Sequence, residues 1–472
     1  MSDSEVEPTG DDGPDPQAGR VPGPQAGRVP DASEASTGRI ETPAPDAPKP
    51  GVSRRTVLGA AGVGIAAGLA GGAAIGATVG GNDDADPDQI VAFHGERQAG
   101  IVTEAQDRLH FASFDVITDS REALVDMLKK WTVAADRMTR GEETVPGGAT
   151  EMGEYHPPAD TGEALGLSPA HLTITIGFGP GLFGPSASDP NRKDRFGIAD
   201  RKPAALADLP AFAQEKIEAS RSYGDICIQA CADDPQVAVH AVRNLARIGV
   251  GVVSVRWSQL GFGRTSSTTR SQETPRNMFG FKDGTANVRA EDTGTLDKWV
   301  WVAPEDNPPA AQWMTGGTYL VARRIRMDIE PWDRANLKEQ ENIVGRTKGS
   351  GAPLSGDDEF DDPDFNITSY GAPIIPLTSH VRLAHPDTNN GVQLLRRGYN
   401  FTDGSDGFGH LDAGLFFIAF NRDTFKQFVP IQHQLSRKDA MTEYLIPNGS
   451  AMFAVPPGVK PGEYWGQALF EK

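Results

Sequence analysis

The stretch His171-Leu172-Thr173-Ile174-Thr175-Ile176-Gly177-Phe178 puts an apolar side chain at every second position. Strand side chains alternate between two faces, so Leu172, Ile174, Ile176 and Phe178 define one apolar face of a strand. The same period runs through 225–232, 252–260, 318–327 and 415–420. Between these runs the spacing turns helical. Leu124, Leu128 and Trp131 recur over 120–138 behind an Asp119/Ser120 cap, and Val239, Val242 and Leu245 recur over 235–248. A further helix is expected over 423–435, opening on Asp423. From Leu109 the order is strand, helix, strand, strand, helix, strand, the split βαβ pattern of a ferredoxin-like unit. A second set begins near Thr318, with a helix over 332–344, a long irregular stretch, the 415–420 strand, a helix and more strand. The expectation is an α+β fold of duplicated ferredoxin-like halves with antiparallel sheets, spanning 95–265 and 266–472. The 345–376 stretch, with the acidic run Asp357–Asp364, is long for a plain connection and reads as an active-site loop or a surface insertion.

The 472 residues can bury one or two large cores, and 23% charged with 38% hydrophobic residues is a globular balance. Sixty-four acids against 45 Lys and Arg give a net charge of −19, a field that repels phosphate backbones, so no nucleic-acid partner is expected. Cys227 and Cys231 are too few for a disulfide framework or a thiolate metal cluster. Four positions apart in a strand they stand about 13 Å apart and cannot bond to each other.

The N-terminal region has a different character. Residues 1–52 are rich in proline, lack aromatic residues and repeat Pro-Gln-Ala-Gly-Arg-Val-Pro at 16–22 and 24–30, so they are expected to be disordered. Ser53-Arg54-Arg55-Thr56-Val57-Leu58, followed by an uncharged run rich in Gly and Ala to Gly81, resembles a twin-arginine export signal over 53–82. The run is long enough for a membrane span, but its glycines weaken both helix formation and transfer into lipid. The expected partner is the twin-arginine translocase, and the expected location the periplasm, cell envelope or extracellular space. Since that route carries folded proteins, a cofactor inserted before export is expected.

The chain has no Walker loop, no H-E-x-x-H, no dinucleotide fingerprint after a strand and no C-x-x-C-H, so any haem is noncovalent. Among nine histidines, His380 stands out by its setting: Ser379-His380-Val-Arg-Leu-Ala-His385-Pro386-Asp387 is closely followed by Arg396-Arg397. An imidazole and a nearby guanidinium are what a haem pocket uses, one as axial ligand and one for a propionate or bound peroxide. In Phe279-Gly280-Phe281-Lys282-Asp283-Gly284-Thr285-Ala286-Asn287, glycines bracket an Asp. That is ordinarily a turn, and alternatively a place where backbone comes close to a flat macrocycle with Asp283 at its open face.

Gly280-Phe-Lys-Asp-Gly284 with Thr-Ala-Asn, then His380, then Arg396 resemble the G-x-x-D-G motif, proximal histidine and distal arginine of the dye-decolorising peroxidases. The resemblance covers 95–472, and with the leader it is closest to the exported peroxidases, or deferrochelatases, of the ferrous iron uptake system. It implies a fold of dimeric α/β-barrel type and one noncovalent haem b per chain, held in the C-terminal half. It implies that His380 ligates iron, that Asp283 moves the peroxide proton and that Arg396 stabilises the departing oxygen. Gly284, Thr285, Ala286, His385, Pro386 and Asp387 would line the haem. His385 is a departure, since close relatives carry Asn at that place, and it introduces a competing ligand. The implied partners are hydrogen peroxide and small one-electron donors such as dyes and phenols, with room for iron-uptake components and for a homo-oligomer. A carboxylic acid, of reference pKa near 3.9, works as a base at lower pH than imidazole, so an acidic optimum is expected. Phe417 is a candidate at the haem edge, and Trp299, Trp301, Trp313 and Tyr399 are candidate electron relays or ordinary packing residues. Release of iron with the porphyrin intact, a haem or iron carrier suggested by Asp357–Asp364, and a chlorite dismutase, which the Asp283 motif disfavours, are the alternatives.

Overall fold

β1 (Arg108–Val116), α1 (Arg121–Thr139), β2 (Thr173–Phe178), β3 (Ile226–Ala232), α2 (Pro235–Ile248) and β4 (Val253–Arg264) follow one another in the computed structural model, which describes residues 89–471. The proline-rich extension 1–52 and the twin-arginine segment 53–82 lie outside the described residues. Ser120 caps α1 by accepting from the Ala123 N–H, and Asp234 caps α2 with Pro235 in its first turn. The strands lie in the order β2-β3-β1-β4, antiparallel throughout.

After α3 (Thr293–Trp299), the second half contributes β5 (Thr318–Met327), α4 (Ile329–Arg334), α5 (Leu337–Val344) and the small hairpin β6 (Thr368–Ser369) and β7 (Ala372–Pro373). Then come α6 (His380–Ala384), β8 (Leu395–Arg396), β9 (Tyr399–Ser405), β10 (Leu411–Asn421), α7 (Phe428–Lys438), β11 (Leu445–Val455) and α8 (Gln467–Phe470). Its main strands lie in the order β11-β5-β10-β9. Numbered within their own halves, both sets read fourth, first, third, second, so the two halves repeat one topology. β4 pairs with β9 (Phe262 with Asn400) and β2 with β11 (Phe178 with Ala454), which closes the sheet into a barrel.

Two helices differ from the sequence reading. The expected 332–344 helix is two short ones, because Asn336 leaves the helical conformation and caps α5 through the Glu339 N–H at 3.0 Å. The 423–435 helix starts at Phe428: Pro430 fits only a first turn, and Asp423 instead holds the N–H groups of Phe425 and Lys426.

Strand alternation sorts the core into layers. Leu109, Phe111, Cys227, Cys231, Leu320, Phe401, Phe416 and Phe453, from both halves, fill the barrel, and both cysteines are free and buried. On the outer face of the first half, Ile174, Ile176 and Ile228 pack beneath Leu124, Trp131 and Leu245 of α1 and α2. Trp332 of α4, Ile343 and Val344 of α5, and Phe279 and Phe281 of the glycine-rich loop form a separate cluster, so that loop packs against helices of the second half. No helix among the described residues is long and apolar enough to cross a membrane.

Candidate active site

His380 opens α6, and Asp439 directly follows α7. The two helices are tied by Gln434, whose Nε2 donates to the Leu383 carbonyl at 2.8 Å. This brings His380 Nδ1 to 2.6 Å from Asp439 Oδ2. Asp439 is 2% exposed, and its other oxygen accepts from the Met441 N–H at 2.9 Å, so the carboxylate cannot swing away. Burial opposes charging the His380 ring, but the Asp439 carboxylate outweighs it and the pKa is raised; Asp283 pushes the same way and Arg396 against. With Nδ1 committed to Asp439, Nε2 has no partner among the described residues. The side chain is 35% exposed although it lies deep in protein, so it faces a recess and not packed neighbours.

Asp283 and Arg396 lie close enough to act on the charge of the His380 ring. The 275–287 loop is stapled at its base by the Asp283 N–H donating to the Pro275 carbonyl at 2.9 Å. Gly284 has φ +93°, and a Cβ there would sit 2.9 Å from the Ser266 Cα, so this position takes glycine for both conformation and space. Arg396 Nη1 donates to Asp283 Oδ1 at 2.6 Å, and Asn277 Nδ2 donates to Asp283 Oδ2 at 3.2 Å. The ion pair is half-buried, at 28% and 15% exposure, which keeps it stronger than a surface pair while leaving it open to a small molecule.

The residues around the loop fall into place with unequal weight. Thr285 Oγ1 donates to Glu359 Oε1 at 3.0 Å, and the same carboxylate pairs with Lys282, so Glu359 grips both sides of Asp283–Gly284. The Glu359 carbonyl is held in turn by Arg346 at 2.7 Å. The 345–364 stretch therefore packs on the glycine-rich loop and is not a free surface insertion. Burial raises the Glu359 pKa, but Lys282, Thr274 and Thr285 together carry it below the ordinary value. Ala286 and Pro386 make no polar side-chain contact, and Asp387 is 74% exposed at the rim.

His385 differs from His380 in its tautomer. Its Nδ1 accepts from the Asp387 N–H at 3.2 Å, which leaves the neutral ring's proton on Nε2. Burial lowers its pKa against the pull of Asp387 and Asp362. His380 thus offers a lone pair from Nε2, and His385 in this tautomer does not. Phe417 packs against Phe428 at 5.9 Å, while Trp301, Trp313 and Tyr399 are core side chains.

Asp439, Asn277, Asn287 and Glu359 carry weight that sequence reasoning did not assign. Asn287 stood inside the quoted motif and Glu359 inside the acidic run, so both had a positional signal. Asp439, 59 residues from its histidine, had none. A recess of about 420 Å³ lies elsewhere, beside Arg201, Trp313 and the 456–471 tail, but Arg201 is occupied by the carbonyls of Ala468 and Leu469.

The donor set suits a metal carried in a macrocycle. No group of three or more His, Cys, Asp or Glu among the described residues could hold a bare ion. One carboxylate-backed imidazole with an unpartnered Nε2 fits what a haem iron would take from the protein.

Two family models match the chain, Dyp-type peroxidase N-terminal over 98–263 and C-terminal over 274–460. The chain is 36% identical over 383 residues to a deferrochelatase of Escherichia coli strain K12, spanning 80% of this chain and 86% of that protein. A deferrochelatase of Yersinia pseudotuberculosis is 35% identical over 389 residues, spanning 81% and 85%. Among solved structures, ferric DtpA from Streptomyces lividans superposes with a TM-score of 0.72 at 36% identity, over 81% of this chain and 97% of that one. A DyP-type peroxidase from Cellulomonas bogoriensis gives 0.69 at 38% identity, over 81% and 98%.

Proposed function

The chain belongs to the Dyp-type peroxidases, and from that premise we propose that His380, Asp283 and Arg396 form the site at which it reduces hydrogen peroxide and oxidises small one-electron donors. The protein is a haem peroxidase of the α+β, barrel-forming type. Haem, when bound, supplies the redox centre that takes two electrons' worth of oxidation from peroxide and returns it to donors one electron at a time.

His380 would hold the iron through Nε2, and Asp439 keeps the ring in the tautomer that makes this lone pair available. Gly284, Thr285 and Ala286, which follow Asp283 in the loop, would line the haem. His385, Pro386 and Asp387, which follow α6, would line it as well. The Asp283 carboxylate would take a proton from one peroxide oxygen and return it to the other, which leaves as water. Arg396 keeps the carboxylate aimed, through its 2.6 Å bond, and places a fixed cation beside the oxygen on which negative charge gathers. The observation that carries this reading is a carboxylate–guanidinium pair within electrostatic reach of an imidazole whose Nε2 has no partner among the described residues.

The test is stopped-flow mixing of the haem-loaded protein with peroxide. Asp283→Asn retains shape and haem but loses the base, so the reaction with peroxide should slow by about two to four orders of magnitude. An unchanged rate in both Asp283→Asn and Arg396→Leu would remove the peroxidase reading of this pair.

A second reading is favoured by the relatives bearing the name deferrochelatase, of which the chain spans 86% in the Escherichia coli protein. The same recess would hold haem while iron leaves it. Metal-free porphyrin recovered after incubation with haem supports this reading, and haem recovered intact excludes it. Residues 53–82 are proposed to direct twin-arginine export to the periplasm, cell envelope or exterior, with iron-uptake components as partners there. Replacing Arg54 and Arg55 by Lys should retain the folded protein in the cytoplasm, and undiminished export would refute the route.

A further inference from the structure

β8 is a two-residue strand with one edge on β10, where Arg397 N–H donates to the Ile418 carbonyl at 2.9 Å. Residues alternate in an antiparallel pair between bonding the partner and turning away from it. Arg396 turns away, so its own N–H and C=O face the opposite edge. There β4, which flanks β9, has already ended at Arg264. Left unpaired, these two backbone groups would cost free energy and let the short strand shift.

Asn287 occupies that edge. Its Oδ1 accepts from the Arg396 N–H at 2.8 Å, and its Nδ2 donates to the Arg396 carbonyl at 2.8 Å and to the Ser267 carbonyl at 3.0 Å. The residue is 7% exposed. One side-chain amide thus supplies the donor and the acceptor that a neighbouring strand would have supplied. The Asn287 N–H donates to the Gly284 carbonyl at 3.0 Å, so the turn after Asp283 is what carries Asn287 to Arg396. The guanidinium of Arg396 reaches back to Asp283, four residues before Asn287, at 2.6 Å.

We propose that Asn287 is a positioning residue that fixes the Arg396 backbone so that its guanidinium meets Asp283. This rests on the reading of Asp283 and Arg396 as the peroxide-handling pair. The chemistry is specific to the amide: a carboxylate at 287 accepts from the Arg396 N–H but faces two carbonyl oxygens with no donor, whereas a serine hydroxyl serves one group at a time.

The experiment is a double-mutant cycle on the haem-loaded protein with Asn287→Asp, Arg396→Leu and the pair together. Three quantities are read: kcat/KM for peroxide, KM for the donor, and the cyanide dissociation constant of the ferric protein. The Soret spectrum and thermal unfolding monitor haem and fold. Asn287→Asp should lower kcat/KM for peroxide roughly ten- to hundredfold, the scale of a misplaced catalytic group, with the donor KM unchanged. It should weaken cyanide in the same direction as Arg396→Leu, and cost little further when Arg396 is already Leu. An undiminished effect in the Arg396→Leu background, or wild-type kinetics in Asn287→Asp, overturns the proposal. If Arg396→Leu itself keeps wild-type peroxide kinetics, the reading of the pair fails; a cyanide shift shared by both single variants and not additive in the double still upholds the positioning role. Should Asn287→Asp not fold, Asn287→Ser should show a smaller loss of the same pattern, and wild-type values there count against the proposal.

Discussion

Asp439 shows how one residue with no local signal decides the chemistry of another. Its carboxylate fixes the His380 tautomer and raises the ring's basicity against burial. Asp439→Asn keeps the shape and removes the charge. Loss of the group that orients a metal-binding imidazole typically weakens a metal site about 10- to 100-fold, so haem should leave the variant faster by that order. Transfer of haem to an apoprotein acceptor measures the rate, and a rate equal to wild type would detach Asp439 from the ligand. The motif residues were readable through their resemblance to the family's motif, since glycines that bracket an aspartate are by themselves ordinarily a turn. The contact from His380 to Asp439 spans 59 positions and exists only after α6 and α7 pack.

At the scale of elements, β1 carries a buried histidine through which pH acts on stability. His110 lies between Ala230 of β3 and Leu260 of β4, its Nδ1 is buried without a hydrogen-bond partner, and burial lowers its pKa from 6.5 to about 4. With the folded value depressed, the unfolded chain binds the proton first as pH falls. Stability from this residue is therefore full above pH 6.5 and is lost down to about pH 4, a drop of about 3 kcal/mol. His110→Leu should flatten that limb, and denaturant unfolding at pH 7.5 and at pH 4 checks it; an equal pH loss in variant and wild type would count against the assignment. Strand and helix periods were legible for β5 and α2, whose ends the structure keeps at Thr318–Met327 and Pro235–Ile248. The starts of α5 and α7 were misread because Asn336 and Pro430 act through backbone bonding that an apolar period does not register.

Across the whole molecule, the barrel closes along two seams, and a glycine lies at each. A Cβ on Gly177 of β2 would meet the Phe453 Cβ of β11 at 2.8 Å, and one on Gly261 of β4 would meet the Tyr399 Cβ of β9 at 2.7 Å. Gly177→Ala and Gly261→Ala should each destabilise by about 1–3 kcal/mol through overpacking, with additive effects since the seams lie on different strands. Calorimetry of the single and double variants tests this, and an unchanged melting temperature in both would mean that the seams have slack. Alternation along 171–178 and its counterparts determined the strands, and their order with the helices determined two ferredoxin-like halves, because local period and turn chemistry act between neighbours in the chain. Asp283, His380 and Arg396 were likewise marked by the residues around them. Only the tertiary structure decided that Asp439 backs His380, that Glu359 grips the loop and that Asn287 clamps Arg396. Each of these is a hydrogen bond between segments 59 to 109 residues apart, and its partner is chosen by which polar group is left unpaired when the barrel and its helices close.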